Sequence, residues 1–223
     1  MFLNKLLTNS PHSSTAAMPH HNNNNDTPEI DRQLPEFNLM QTVKRRLYAM
    51  RNGALAAQMR NAGLLYRINF GLNIPQIKEI AMEIIDSGLS SKELLDLAAM
   101  LWENENTRES RLIAPMLYPA DIMDRNTAQK WLTEAQTTEV ADHLCHSLLR
   151  HLPFAARLAT AVPESPRASD MNRYCAMRLL LNLLMLGRIS PDEARSAAEA
   201  EMQRNVPLTA SVARQIISEA EWR

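Results

Sequence analysis

Apolar residues recur every three to four positions from residue 36 to the end of the chain. This spacing gathers them on one face of an α-helix, whereas a half-buried strand would alternate apolar and polar residues. Glycines follow several of these segments, where helices commonly end, at Gly53, Gly63, Gly88 and Gly187. Residues 90–93 and 190–193 have the Ser-x-x-Glu spacing of a capping box at a helix start. The pattern therefore predicts a chain built from helices.

The predicted helices are short, and the connections between them are only a few residues long. They span residues 37–51, 53–62, 75–87, 91–103, 107–118, 126–135, 139–151, 154–161, 170–186, 191–204 and 208–221. Such connections favour antiparallel neighbours that stack one after another. We predict an all-α fold of stacked helix pairs, with a bend or an early helix end at Pro115.

The first 35 residues have a different composition, rich in Asn, His, Ser, Thr and Pro. A segment of this kind cannot bury enough apolar surface to offset the entropy lost on ordering. We therefore expect residues 1–35 to form a disordered N-terminal tail and residues 36–223 to form the folded domain. The two histidines at positions 20 and 21 lack further ligands for a metal.

The chain is nearly neutral, with 24 Lys and Arg against 25 Asp and Glu. Proteins that bind duplex DNA usually carry a basic excess, because neutralising phosphates drives much of their affinity. The overall charge thus argues mildly against a nucleic-acid partner and leaves a local basic stripe as the alternative.

Other broad features limit the location and chemistry of the protein. No apolar run approaches the roughly 18 residues that a membrane-spanning helix needs, and we read no export signal at the N-terminus. Cys145 and Cys175 lie in apolar helical segments, which favours buried free thiols in a reducing cytoplasm. Glycine-rich phosphate loops and paired-cysteine zinc motifs are not apparent, so we expect no cofactor.

Three segments resemble the DNA alkylation repair family, whose AlkD-like glycosylases are built from HEAT-like repeats. They are residues 67–81, residues 101–114 and residues 139–145. The matching positions are Phe70-Gly71 and Pro75 in the first, Leu101-Trp102 and Glu109-Ser-Arg111 in the second, and Asp142 in the third. The resemblance implies a curved α-α superhelix, a solenoid of stacked antiparallel HEAT-like helix pairs.

The resemblance also implies a catalytic role for Asp142, which stands where the family has its catalytic aspartate. The implied reaction is hydrolysis of the N-glycosidic bond of alkylated purines such as 3-methyladenine or 7-methylguanine in DNA. A carboxylate near the sugar can stabilise the oxocarbenium-like charge or position a water molecule. Active members carry Trp four residues earlier, where this chain has Thr138.

Several readings of these residues remain open. The candidate DNA contacts are Arg67, Lys78, Arg108, Arg111 and Arg150, which could equally be scattered solubilising charges. Asp142 could instead lie on a solvated helix face and pair with His146 one turn away. A metal site at Glu139, His143 and His146 lacks a second ligand cluster, so none is predicted. The alternative function is a noncatalytic helical-repeat scaffold that binds a protein or nucleic acid on its concave face.

Overall fold

The structure, a computed structural model, describes residues 36–223, and the predicted tail lies outside these residues. Within them the chain forms eleven α-helices, two 3-10 turns at residues 120–122 and 149–151, and no strand. The helices are α1 (Glu36–Ala49), α2 (Gly53–Asn61), α3 (Ile74–Asp86), α4 (Ser91–Glu103), α5 (Arg108–Leu117), α6 (Arg125–Glu134), α7 (Thr138–Ser147), α8 (Ala155–Glu164), α9 (Asp170–Met185), α10 (Pro191–Gln203) and α11 (Pro207–Glu221). The predicted all-α fold is confirmed.

Five of the helices stack in one row. Helices α3, α5, α7, α9 and α11 contact one another in that order and form this row. Three others each pack on one member of the row: α4 packs on α5, α8 packs on α9, and α10 packs on α11. Each pair buries an apolar face that it could not bury alone, so stacking builds a continuous core.

The helix starts depend on the side chains that the sequence supplies there. Ser90 and Ser190 form the predicted capping boxes with Glu93 and Glu193. Asn73 and Ser169 make two further boxes, with Gln76 and Asn172 as the returning residues. These boxes satisfy backbone N–H groups that the helix itself leaves without partners.

Most helix boundaries lie within two residues of the prediction. Pro115 lies inside α5, and that helix ends two residues later at Leu117. Two regions differ by more. The single helix predicted for residues 139–151 breaks at Leu148 into α7 and a 3-10 turn. Helix α8 continues to Glu164, beyond the predicted end at residue 161. None of the described helices is both long and apolar enough to cross a membrane.

Helix α9 is the central helix of the C-terminal half, with α7, α8 and α11 packed around it. Its buried residues occupy most of its circumference. Tyr174, Arg178 and Asn182 are only half-buried, and their spacing of four places them along one side. Cys175 on α9 and Cys145 on α7 are buried free thiols, as predicted, with 3.6 Å between their sulfur atoms.

Candidate functional site

Asp142 lies in the middle of α7 with 39% of its side chain exposed. The Tyr174 hydroxyl donates a hydrogen bond of 3.0 Å to Oδ1 of Asp142. Nε of Arg178 lies 2.7 Å from the same oxygen, but its N–H makes no aligned hydrogen bond, so the contact is an ion pair. Helix α9 therefore holds one oxygen of the carboxylate. Within residues 36–223, no hydrogen bond or ion pair engages Oδ2.

The partners of Asp142 differ from the helix-surface pair considered from the sequence. His146 is exposed, and its Nδ1 lies 3.2 Å from Nη1 of Arg150. Spacing along one helix shows which of its residues are neighbours, but not which residues of another helix face them. Tyr174 and Arg178 were missed for this reason. The available signal was the spacing of three polar residues four apart, Tyr174, Arg178 and Asn182, in the otherwise apolar segment 174–184.

The hydroxyl of Tyr174 remains a donor at neutral pH. Burial, together with the negative charge of Asp142, raises the pKa of Tyr174 to about 12. The neutral phenol can therefore hold the carboxylate throughout the physiological range.

A group of cations surrounds this part of α7. Burial, followed by the positive charges of Arg150 and Lys78, lowers the pKa of His146. Arg178 adds to the same effect. Lys78 of α3 and Arg150 of the 3-10 turn therefore lie close enough to His146 to act on its charge, as does Arg178, the ion-pair partner of Asp142. This positive field is local, because the chain as a whole is nearly neutral.

Arg188 extends this cationic group beyond the end of α9. Its guanidinium donates to the backbone carbonyl of Arg150 and, at 3.0 Å, to that of Leu152. The 3-10 turn that carries Arg150 is thus tied to the α9–α10 connection. Arg188 was not among the residues selected from the sequence, where nothing marks it beyond its charge.

Arg108 is buried, and its guanidinium makes its hydrogen bonds inside the fold. Its Nε donates to Glu139 at 2.7 Å, and its Nη1 donates to the carbonyl of Leu72 at 2.9 Å and to Glu109 at 3.1 Å. Burial disfavours the charged guanidinium, but the contacts with Glu139 and Glu109 outweigh it and raise the pKa of Arg108. With only 1% of the residue exposed, its guanidinium is not presented for a phosphate contact.

Arg111 is also buried, and it belongs to an aromatic cluster. Its guanidinium lies 4.4 Å from the centre of the Trp102 ring, which stacks on Trp131 at 4.3 Å. Burial lowers the pKa of Arg111. Nε1 of Trp102 donates to Glu134 at 2.8 Å, so this cluster joins α4, α5 and α6. Arg67, by contrast, is exposed in the connection before α3.

Glu109 connects two of the segments that carry the resemblance, residues 67–81 and residues 101–114. Its carboxylate accepts the backbone N–H of Phe70 at 3.2 Å and that of Leu72 at 3.4 Å. Gly71 between them has a φ of +73°, and a Cβ there would lie 2.2 Å from the carbonyl oxygen of Asn52. The most distinctive part of the resemblance thus fixes one loop against α2 and α5, so its role here is structural.

His143, which the sequence offered as a candidate metal ligand, is buried. Only 8% of it is exposed. Burial, followed by the positive charge of Lys78, lowers its pKa to about 4. Nε2 of its imidazole lies 3.4 Å from the Ser147 hydroxyl, within hydrogen-bond distance. It is therefore a neutral core histidine at pH 7.

The acidic and imidazole groups considered as metal ligands are used in other ways. Glu139 pairs with Arg108, His143 packs in the interior, and His146 faces Arg150. Among residues 36–223, no group of three or more potential ligands is arranged to hold a metal ion.

Comparison with known proteins gives a family match that covers the three sequence segments carrying the resemblance. The family described as DNA alkylation repair enzyme matches residues 43–164, which is more than half of the chain. No curated protein and no solved structure matches the chain. The matched range includes Lys78, Glu109 and Asp142 and ends before α9, so Tyr174 and Arg178 lie beyond it.

Proposed function

The chain belongs to the DNA alkylation repair enzyme family, and from that premise we propose that it binds DNA on the Asp142 face. By this name we mean the surface carrying Lys78, Asp142, His146, Arg150 and Arg178. We further propose that the stacked pairs are HEAT-like repeats and that the protein excises alkylated purines such as 3-methyladenine or 7-methylguanine.

The observation that supports excision is the state of the Asp142 carboxylate. Tyr174 and Arg178 hold Oδ1 in place, while Oδ2 has no hydrogen bond or ion pair within the described residues and the side chain is 39% exposed. A carboxylate fixed on one oxygen can present the other to a substrate without first reorganising, which is a requirement of electrostatic catalysis.

The proposed reaction is hydrolysis of the bond between C1′ of deoxyribose and the alkylated purine. An N7- or N3-alkylated purine is cationic, so it takes the bonding electron pair and leaves as a neutral base with little help from an acid. The sugar then carries oxocarbenium-like positive charge, which Asp142 stabilises. Water adds to C1′ and releases a proton, and the products are an abasic site and the free base.

The cations around α7 would bind the phosphate groups of the DNA. Lys78, Arg150 and Arg178 reach this face from three different elements, and none of them is enclosed in the core. Arg67 would add a contact from the exposed connection before α3. Because each phosphate contact releases a counterion, binding through these residues should weaken steeply as salt is added.

A second candidate function, a noncatalytic scaffold that binds DNA or a protein on the same face, has its own support. Thr138 begins α7 where active members have Trp, and both Trp102 and Trp131 stack in the interior. Arg178 also offsets part of the negative charge of Asp142. These features reduce the means of stabilising a cationic sugar while leaving the cations in place.

The decisive experiment measures release of 7-methylguanine from methylated duplex DNA by the full chain. Wild type should release the base, Asp142→Asn should lose this activity, and Asp86→Asn, at the exposed end of α3, should retain it. No release by wild type at high protein concentration contradicts excision. Binding of the same duplex, weakened by Lys78→Gln, would then support the scaffold, whereas no binding at low salt would contradict both functions.

A further inference from the structure

A second cationic site lies away from the Asp142 face, in a cleft between α6, α8 and the start of α9. The cleft has a volume of about 650 Å³. Arg125, Arg157 and Arg167 all line it, each from a different element, and all three are exposed. We propose that this cleft, named here the three-arginine cleft, binds a phosphate ester of nucleotide size.

The positive charge of the three arginines is not offset by any other side chain that lines the cleft. None of its lining residues is acidic, and its polar residues are Gln129, Thr133, Ser165 and Asn172. Within the described residues, no ion pair engages any of the three guanidinium groups. A bound anion would supply the negative charge that the walls of the cleft lack. Guanidinium groups also match the geometry of phosphate oxygens, to which they can donate two parallel hydrogen bonds.

The walls of the cleft are fixed before any ligand arrives. The buried Arg173 donates to the carbonyls of Pro163 and Ser165, and so holds the connection that carries Arg167. Nδ2 of Asn172 donates to the carbonyl of Thr133 at 2.9 Å, which joins the start of α9 to the end of α6. The backbone of the cleft therefore needs little further ordering when a ligand binds.

The size and lining of the cleft indicate more than an inorganic ion. Its volume falls within the roughly 300–1,000 Å³ typical of small-molecule sites. Leu158, Val162, Ala161 and Ala168 provide an apolar surface beside the arginines. A ligand with a phosphate and a flat, less polar part, such as a nucleotide, would use both surfaces.

The three-arginine cleft is separate from the Asp142 face. Asn172, which lines the cleft, and Tyr174, which contacts Asp142, are two residues apart on α9. At 100° per residue they project about 200° apart around the helix axis, on nearly opposite sides. The same phosphate chemistry can be offered by a free nucleotide or by a nucleic-acid strand, and the test distinguishes the two.

The test titrates the full chain with adenosine monophosphate, inorganic phosphate, a glutamate-rich peptide and a short duplex, by calorimetry at low salt. The test variant is Arg157→Gln/Arg167→Gln. Its control, Arg60→Gln/Arg214→Gln, removes the same charge from exposed arginines of α2 and α11. The cleft variant should raise the Kd of adenosine monophosphate at least about tenfold, because charge-assisted hydrogen bonds are lost. The control should leave it within about twofold.

The remaining outcomes also decide the proposal. If only the duplex binds, and the cleft variant lowers the log–log salt slope by about 2, the phosphate belongs to a nucleic-acid strand. If neither adenosine monophosphate nor the duplex binds, the proposal is overturned. It is also overturned if the two double variants have the same affinity for the ligand that does bind. Equal binding of the glutamate-rich peptide also overturns it, in favour of a carboxylate ligand. Asp142→Asn should leave nucleotide affinity unchanged, so failure here is distinguishable from failure of excision.

Discussion

Acidification should destabilise this protein through His143, the buried histidine of α7. Its pKa is about 4 in the folded protein and near 6.5 in the unfolded chain. Between these pH values the unfolded chain binds a proton that the folded protein does not, so stability falls as the pH falls. At about 1.4 kcal/mol per pH unit, the full loss is about 3 kcal/mol. The contribution is fully present above pH 6.5 and is exhausted near pH 4.

The assay is denaturant unfolding of wild type, His143→Gln and His146→Gln at several pH values from 7 to 4. Other groups titrate in this range, so the informative quantity is the difference in pH dependence between variants. His143→Gln should flatten the loss of stability by about 3 kcal/mol. His146→Gln, at an exposed position where the pKa is also lowered, should flatten it much less. Equal slopes for wild type and His143→Gln would refute the reasoning, as would a native His143 imidazole that titrates near pH 6.5 by NMR.

Three further predictions concern the loop before α3 and the support of Asp142. Glu109→Ala should lower the free energy of unfolding by about 3–5 kcal/mol, because it leaves a buried guanidinium and two N–H groups short of partners; a loss below about 1 kcal/mol in urea unfolding would contradict this. Gly71→Ala should cost at least about 2 kcal/mol more than Gly63→Ala, since both have positive φ but only Gly71 has backbone within 3 Å of the added Cβ. Equal urea midpoints for Gly71→Ala and Gly63→Ala would contradict the close approach of backbone atoms to Gly71. Tyr174→Phe should slow single-turnover base release about tenfold at unchanged duplex affinity, because one donor to Asp142 is lost; an unchanged rate would show that the hydroxyl is dispensable.

The helices could be predicted closely because their signals are local. Capping residues and apolar periodicity act within one or two turns, so the observed helix starts at Ser91 and Pro191 follow from the residues themselves. The break at Leu148 was missed because an apolar stripe continues through residues 144–152, whether the backbone is α-helical or 3-10. Local sequence specifies the periodic face better than it specifies the hydrogen-bond pattern at a helix end.

The site was only partly predictable because its contacts cross between helices. Asp142 was identified by resemblance, but its partners Tyr174 and Arg178 lie 32 and 36 residues later on α9. Arg108 and Arg111 illustrate the opposite difficulty. Charge and position predicted exposed contacts for both, whereas the acidic side chains and aromatic rings around them allow both to be buried. A charged residue is enclosed when the fold supplies partners, and those partners come from other elements.

The measurement that tests the central claim most directly is the single-turnover rate of 7-methylguanine release from a pre-bound methylated duplex. The comparison is between wild type and Asp142→Asn, a near-isosteric change whose amide oxygen can still accept from Tyr174. If Asp142 stabilises the cationic sugar, the rate should fall by about 10²–10³-fold while duplex affinity stays within about threefold. Equal rates for the two proteins, or release by neither, would contradict the assignment of Asp142 as the group that drives excision.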